Sequence, residues 1–174
     1  MSRGMGIRVG YAMATALTWV PAVVLVAAKL SWGGVPATVP VHWIGGGRAD
    51  EFQSSITAFW LSLVPALVCA VIAVVVLVAS HDARRIYGAL GFGVLALVAA
   101  AASVQWLVDV LTALVAADGG DSRIGAPFLL QLASLAFGLL VFGVAMIGKR
   151  DRTPTRDASM TGETAAPTGV QSGA

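Results

Sequence analysis

The residues of this 174-residue chain that are able to do chemistry fall into two groups. The first group lies in one segment within the N-terminal third of the chain: His42, Trp43, Arg48 and Asp50. The second group interrupts long apolar runs further along: Gln105, Asp109 and Gln131. Ionisable and amide side chains in apolar runs are costly to bury, so they are functional candidates by default.

Helical spacing predicts that the second group forms a cluster. Gln105 precedes Asp109 by four residues, which puts both side chains on one helix face. Gln131 lies in the first turns of the next apolar run, and we expect it at a similar depth. The cluster would then lie beneath the segment that carries His42 and Asp50. In a functional interpretation, it lines an outward-facing pocket for a peptide or a lipid head group.

A structural interpretation of the same residues stays open. Gln105 and Gln131 would only hydrogen-bond between helices, at roughly 0.6 kcal/mol for each bond. Asp109 would be an interfacial carboxylate that pairs with one of three cations: Arg48, Arg123 or Lys29.

No catalytic or metal-binding pattern accompanies these residues. His42 with Asp50 or Glu51 is a conceivable metal site, but a lone loop histidine rarely binds metal. The sequence contains no HExxH, P-loop or dinucleotide fingerprint. The second histidine, His81, is expected on the opposite side of a membrane. We therefore predict no metal, no cofactor and no enzymatic activity.

The composition indicates what must position these residues. Hydrophobic residues make up 57% of the chain, charged residues 11%, and the mean hydropathy is +0.84. A soluble fold of this size could not bury so much apolar side chain. A soluble enzyme, a disordered chain and a secreted disulfide scaffold are excluded, and the single Cys69 is expected to pack as a small hydrophobe. The sequence predicts an integral membrane protein that binds no nucleic acid.

Four apolar segments are long enough to cross a hydrocarbon core of about 30 Å as helices. They predict an all-α fold, an up-down bundle of four transmembrane helices at about 9–30, 56–80, 86–117 and 124–148. The first segment has a rival interpretation as a cleaved signal peptide. A long outer loop, 31–55, follows it. The transmembrane domain spans 1–148, and the Thr-, Ser- and Pro-rich remainder, 149–174, is expected to be a disordered cytoplasmic tail.

The basic residues predict the orientation of this bundle. With a cytoplasmic N-terminus, eight of the eleven Lys and Arg residues lie inside, and only Lys29, Arg48 and Arg123 lie outside. An inside excess of Lys and Arg sets topology. We therefore expect both termini in the cytoplasm and a location in the plasma membrane.

The outer loop carries the most specific pattern. Pro36 and Pro40 favour extended backbone, so the stretch from Val39 to Ile44 is expected to form a short strand. Three glycines and an acidic-aromatic segment then lead to a membrane helix. The residues that form this pattern are Pro36, Pro40, His42, Trp43, Gly47, Asp50 and Phe52, followed by Pro65 in the second helix.

This pattern resembles a bacterial membrane family, the domain of unknown function sixteen-forty-eight, which forms the N-terminal part of SdpI-type immunity proteins. The resemblance covers roughly 14–75. The chain departs from the family at Ile44 and Gly45, where asparagine usually follows the His-aromatic pair, and at Arg48, where proline is usual. The resemblance implies a four-helix bacterial membrane protein, with immunity to a secreted toxin or signalling as its role.

The leading hypothesis is therefore a non-enzymatic membrane protein whose outer loop and polar cluster recognise a toxin peptide, a lipid or a partner. Its expected partners are the lipid bilayer and either a secreted peptide or another membrane or cytoplasmic protein. Two alternatives remain: a small transporter or transporter subunit, and a membrane-embedded enzyme that acts at the outer surface. The sequence does not specify the oligomeric state.

Overall fold

The computed structural model describes residues 5–44, 48–79, 85–117 and 125–147, over which the chain is mostly helical. The elements in this part are α1 (Met5–Ser31), β1 (Thr38–Ile44), β2 (Arg48–Ser54), α2 (Ser55–Ala79), α3 (Arg85–Ala117) and α4 (Gly125–Ala145). The helix bounds lie close to the predicted ones, with the largest shift at the start of α1. The predicted tail, 149–174, and the basic turn at 81–84 lie outside the described residues.

Three of the helices are long and apolar enough to cross a membrane. The qualifying stretches are Val9–Ser31, Ser55–Ala79 and Ile86–Ala116. The fourth helix contributes a shorter apolar stretch, Leu129–Ala145. Within the described residues, three of the four predicted spans therefore have the length and composition of a membrane-crossing helix.

Beyond Leu63, the helix α2 turns small residues inward and large residues outward. Its buried face includes Ala66, Ala70 and Ala73. The opposite face carries a stripe of valines that are each about half exposed: Val64, Val68, Val71 and Val75. Exposed apolar stripes are rare on soluble monomers, whereas helices in lipid place small residues at their mutual interfaces. This distribution is compatible with a lipid bilayer around the helices.

The third and fourth helices approach each other closely at a pair of glycines. A Cβ atom built on Gly138 would lie 2.8 Å from Leu97 Cβ and 3.0 Å from the Gly93 carbonyl oxygen. A Cβ built on Gly93 would lie 2.9 Å from Phe142 Cβ. Glycine at these two positions therefore permits the close approach of α3 and α4.

The predicted outer loop is wrong in one respect, because most of it forms a β-hairpin. The strand predicted at Val39–Ile44 is present as β1, and it pairs antiparallel with β2. The partners run from Thr38 with Ser54 to Ile44 with Arg48. The chain therefore departs from the predicted all-α class at this one sheet, called the hairpin below.

The hairpin is part of the core of the molecule. Val39 is fully buried in the cluster that contains Leu25 of α1 and Phe59 of α2. The backbone N–H of Ser55 donates to the carbonyl oxygen of Ala37 at 3.0 Å, which ties the start of α2 to the chain just before β1. The hairpin is thus fixed against the ends of the helices.

The helix α3 is long enough for its C-terminal end to pack against the hairpin. Its 33 residues span about 50 Å at 1.5 Å per residue, well beyond a hydrocarbon core of about 30 Å. Thr112, Ala113 and Ala116, near its C-terminal end, face Pro40 and Phe52 of the hairpin across a groove of about 310 Å³. The hairpin therefore lies against the C-terminal part of a helix that is longer than a hydrocarbon core is thick.

Candidate functional site

An aromatic cluster, Trp32, Phe59 and Trp106, lies directly beneath the hairpin. The indole of Trp106 is fully buried, and it stacks on Trp32 with ring centroids 5.8 Å apart. Phe59 meets Trp106 edge to face at 5.5 Å. The Nε1–H of Trp106 donates to the carbonyl oxygen of Ser55 at 3.4 Å. These contacts fix α1, α2 and α3 relative to one another at the level of the hairpin.

Next to this cluster, three side chains form a directed series of hydrogen bonds, called the polar chain below. Gln131 Nε2 on α4 donates to Gln105 Oε1 on α3 at 2.9 Å. Gln105 Nε2 then donates to Asp109 Oδ1 at 2.7 Å. The series ends on a carboxylate, and hydrogen bonds to a charged acceptor are the stronger kind. The structure thus brings together the three residues of the second sequence group.

Asp109 is buried, with 3% of the residue exposed. Its hydrogen-bond partner in the described part of the chain is the amide of Gln105, and it makes no ion pair there with Lys29. Arg123 and the side chain of Arg48, the other two predicted cations, are outside that part. A buried carboxylate is costly unless hydrogen bonds or an opposite charge stabilise it, and Gln105 supplies one such bond.

A cavity of about 480 Å³ lies between the hairpin, α2 and α3, and it is called the sub-hairpin cavity below. Its lining comes from all three elements: Val41, Gln53, Ala58, Leu61, Ser62, Ala102, Gln105 and Asp109. The volume is within the range of about 300–1,000 Å³ that is usual for ligand pockets. Among these residues Asp109 alone is ionisable. The polar chain therefore ends in a cavity of mixed polar and apolar character.

Two irregularities shape the hairpin above this cavity. The strand pairing shifts between Pro40 and His42 and again between His42 and Trp43, which leaves Val41 and Asp50 without direct partners. Such bulges redirect side chains, and they are common beside functional sites. Val41 lines the sub-hairpin cavity, whereas Asp50 binds His42.

The contact between His42 and Asp50 joins two residues of the first sequence group. The Nδ1–H of His42 donates to Asp50 Oδ1 at 2.7 Å, with side chains that are 61% and 38% exposed. This bond fixes the tautomer of the neutral ring and leaves Nε2 available. Neither His42 nor Asp50 is among the described residues that line the sub-hairpin cavity.

The remaining residues of the predicted site and motif lie in the hairpin, along the groove against α3 and in α2. Trp43 pairs with Ala49 in the hairpin, and Arg48 begins β2 opposite Ile44. Gly47 lies outside the described residues. The other motif residues are on the groove side of the hairpin or in a helix: Pro36, Pro40 and Phe52 line the groove against α3, and Pro65 lies inside α2.

Sequence reasoning missed two polar residues of the cavity, Gln53 and Ser62. Ser62 follows Ser55 by seven residues, so helical periodicity places both on one face of α2, and both are buried. This spacing was the sequence feature that could have predicted the position of Ser62. No sequence feature predicted the position of Gln53, because the direction of its side chain depends on how β2 pairs.

Among the described residues, no group of three or more His, Cys, Asp or Glu side chains is arranged to hold a metal ion. His42, Asp50 and Asp109 accordingly form no such group. Comparison of the chain with protein-family models, with curated proteins and with solved structures finds no match in any of the three. The resemblance to the domain found in immunity proteins therefore stays a prediction from the sequence pattern quoted above.

Proposed function

We propose that this chain is a non-enzymatic integral membrane protein that recognises a ligand in the sub-hairpin cavity. In this proposal four helices cross a bacterial plasma membrane in an up-down bundle, with both termini in the cytoplasm and the hairpin outside. The resemblance to SdpI-type proteins favours immunity to a secreted toxin, or signalling, as the physiological role.

The membrane part of the proposal is supported by three helices of sufficient length and by the outward-facing valines of α2. The orientation is supported by the eight basic residues that this topology leaves inside. In the proposed orientation, Asp109 lies near the outer edge of the bilayer, because it is about 36 Å along α3 from Arg85.

One observation carries the recognition role: a buried carboxylate, Asp109, lines a cavity that has no cation among its described residues. The polar chain holds this carboxylate in one orientation through Gln105. A preorganised polar group in a cavity with apolar walls is typical of ligand sites.

A transport function has less support. Such a function needs polar groups along the bundle, and two buried hydroxyl groups of α1 are turned back to their own helix. Thr15 donates to the Tyr11 carbonyl oxygen at 2.8 Å, and Thr18 donates to that of Ala14 at 2.9 Å. These side chains satisfy the helix backbone instead of facing a path.

One contact favours a second candidate, an enzyme that acts at the outer surface. Asp50 orients His42 through Nδ1, as a carboxylate orients a histidine general base. Asp50→Asn tests this candidate, because loss of a hydrolytic activity together with unchanged ligand binding would favour the enzyme.

The leading proposal is tested with a variant that fills the cavity and keeps every polar group. Ala102 of α3 lines the cavity, so Ala102→Leu reduces its volume. A toxin-sensitive bacterium that expresses the wild-type chain should survive secreted peptides better than one that expresses Ala102→Leu at the same membrane level. Equal survival of the two strains and of an empty-vector strain would contradict the immunity role.

A further inference from the structure

We propose that the sub-hairpin cavity takes the cationic side chain of a peptide, a lysine or an arginine that reaches Asp109. This inference rests on the proposed recognition function and names the chemical class of its ligand.

The charge of the cavity points to a cation. Asp109 is buried, and its recorded bond uses Oδ1, so Oδ2 has no hydrogen-bond partner among the described residues. A carboxylate removed from water is stabilised by an opposite charge with good hydrogen-bond geometry. None of the described lining residues supplies that charge.

The other polar groups of the cavity match the donors of such a side chain. Asp109 on α3, Ser62 on α2 and Gln53 on β2 all line the cavity, and each offers an oxygen acceptor. A lysine ammonium group has three N–H donors. The apolar residues Val41 and Leu61 complete the lining, where they suit the methylene stem of a lysine or arginine.

A peptide fits this cavity better than a lipid head group does. The ammonium group of a zwitterionic lipid is joined to a phosphate, and the described lining contains no lysine or arginine that would neutralise it. A peptide side chain brings the cation alone. Two exposed acidic residues of the hairpin, Asp50 and Glu51, add negative charge close by and would attract a basic peptide.

In the test, random heptapeptides are selected for binding to the purified full chain in phosphatidylcholine nanodiscs. The same selection is carried out with the Asp109→Asn and Ala102→Leu variants. We expect the wild-type chain to enrich peptides that contain lysine or arginine. Asp109→Asn should weaken the binding of the best peptide by about thirtyfold or more, and exchange of its basic residue for norleucine should do the same. Asp82→Asn, in the connection between α2 and α3, is the matched carboxylate control and should leave binding unchanged.

The outcomes separate the ligand class from the function. If Ala102→Leu abolishes binding while Asp109→Asn does not, the cationic class is wrong and the proposed function stands. If no selected peptide depends on the cavity, the proposed function fails as well. Phosphatidylethanolamine that copurifies with the wild-type chain, but not with Asp109→Asn, would overturn the peptide in favour of a lipid head group. A folding defect of Asp109→Asn would not decide the result, because the norleucine exchange tests the cationic contact on the wild-type chain.

Discussion

Gln131 of α4 and Gln105 of α3 are joined by a hydrogen bond of 2.9 Å between Nε2 and Oε1. The same Gln105 amide then donates to Asp109 at 2.7 Å. A contact between two helices therefore also fixes the orientation of the group that binds the carboxylate. Loss of Gln131 should loosen the α3–α4 interface and, indirectly, the site.

The two glutamines should differ in their contribution to stability. Gln131→Leu removes a neutral bond between helices and should lower the free energy of unfolding by about 0.6 kcal/mol. Gln105→Leu leaves the Asp109 carboxylate without its donor, and it should cost about 1.5–3 kcal/mol. Unfolding in mixed micelles measures both values. The double variant Gln105→Leu/Asp109→Leu should recover much of the loss, and an equal or larger loss would contradict this account of the polar chain.

The glycine contact between α3 and α4 predicts a position-specific effect of one methyl group. Gly138→Ala places a Cβ 2.8 Å from Leu97 Cβ and should destabilise the protein by about 1–3 kcal/mol. Gly143→Ala on the same helix meets nothing within 4 Å, and it should be neutral or stabilising by up to about 1 kcal/mol. Thermal unfolding in detergent compares the two. Equal midpoints would show that the helices do not approach at Gly138.

Trp106 should hold the hairpin on the helices. Trp106→Phe removes the bond to Ser55 and shrinks the ring that stacks on Trp32, two contacts worth about 0.5–1.5 kcal/mol each. We therefore expect a loss of about 1–3 kcal/mol and faster proteolysis within the hairpin. The control is Trp60→Phe, because Trp60 is 53% exposed, and its effect should stay within about 0.5 kcal/mol. Equal proteolysis rates for the two variants would rule out the anchoring role.

The proposed topology predicts which engineered cysteines react from outside. In intact cells His42→Cys should react with a membrane-impermeant maleimide, whereas Arg84→Cys should react only after the cells are opened. The native Cys69 is buried and should give little background. Outside labelling at Arg84→Cys would reverse the orientation deduced from the basic residues.

The helices were predictable from the sequence because an apolar run of bilayer length has few alternatives. The proximity of Gln105 to Asp109 followed from their spacing of four residues, and the structure records the bond. The strand β1 was predictable from Pro36 and Pro40, which exclude helix there. Whether the polar residues recognise a ligand stays a prediction.

The hairpin and its cavity were not predictable from local pattern. The strand β2 carries Asp50 and Glu51, residue types that are uncommon in strands. It pairs with β1, which in turn contacts α3. Trp106 is fully buried, in the same cluster as Val39 of the hairpin, and that contact between distant parts of the chain leaves no local pattern. The sub-hairpin cavity depends on the shift in pairing at Val41, which tertiary packing determines.

The central claim is that Asp109 gives an externally accessible cavity a preference for cations. Ser62 lines this cavity, so Ser62→Cys in a Cys69→Ala background reports on it directly. In intact cells we compare the rate of modification by the cationic trimethylammonium-ethyl methanethiosulfonate with the rate by the anionic sulfonatoethyl reagent. We predict that the ratio of the two rates is higher at Ser62→Cys than at an exposed control cysteine, Thr38→Cys. Asp109→Asn should reduce that preference by about tenfold, the equivalent of about 1.4 kcal/mol. An unreactive cysteine, or a preference that Asp109→Asn leaves unchanged, would contradict the claim.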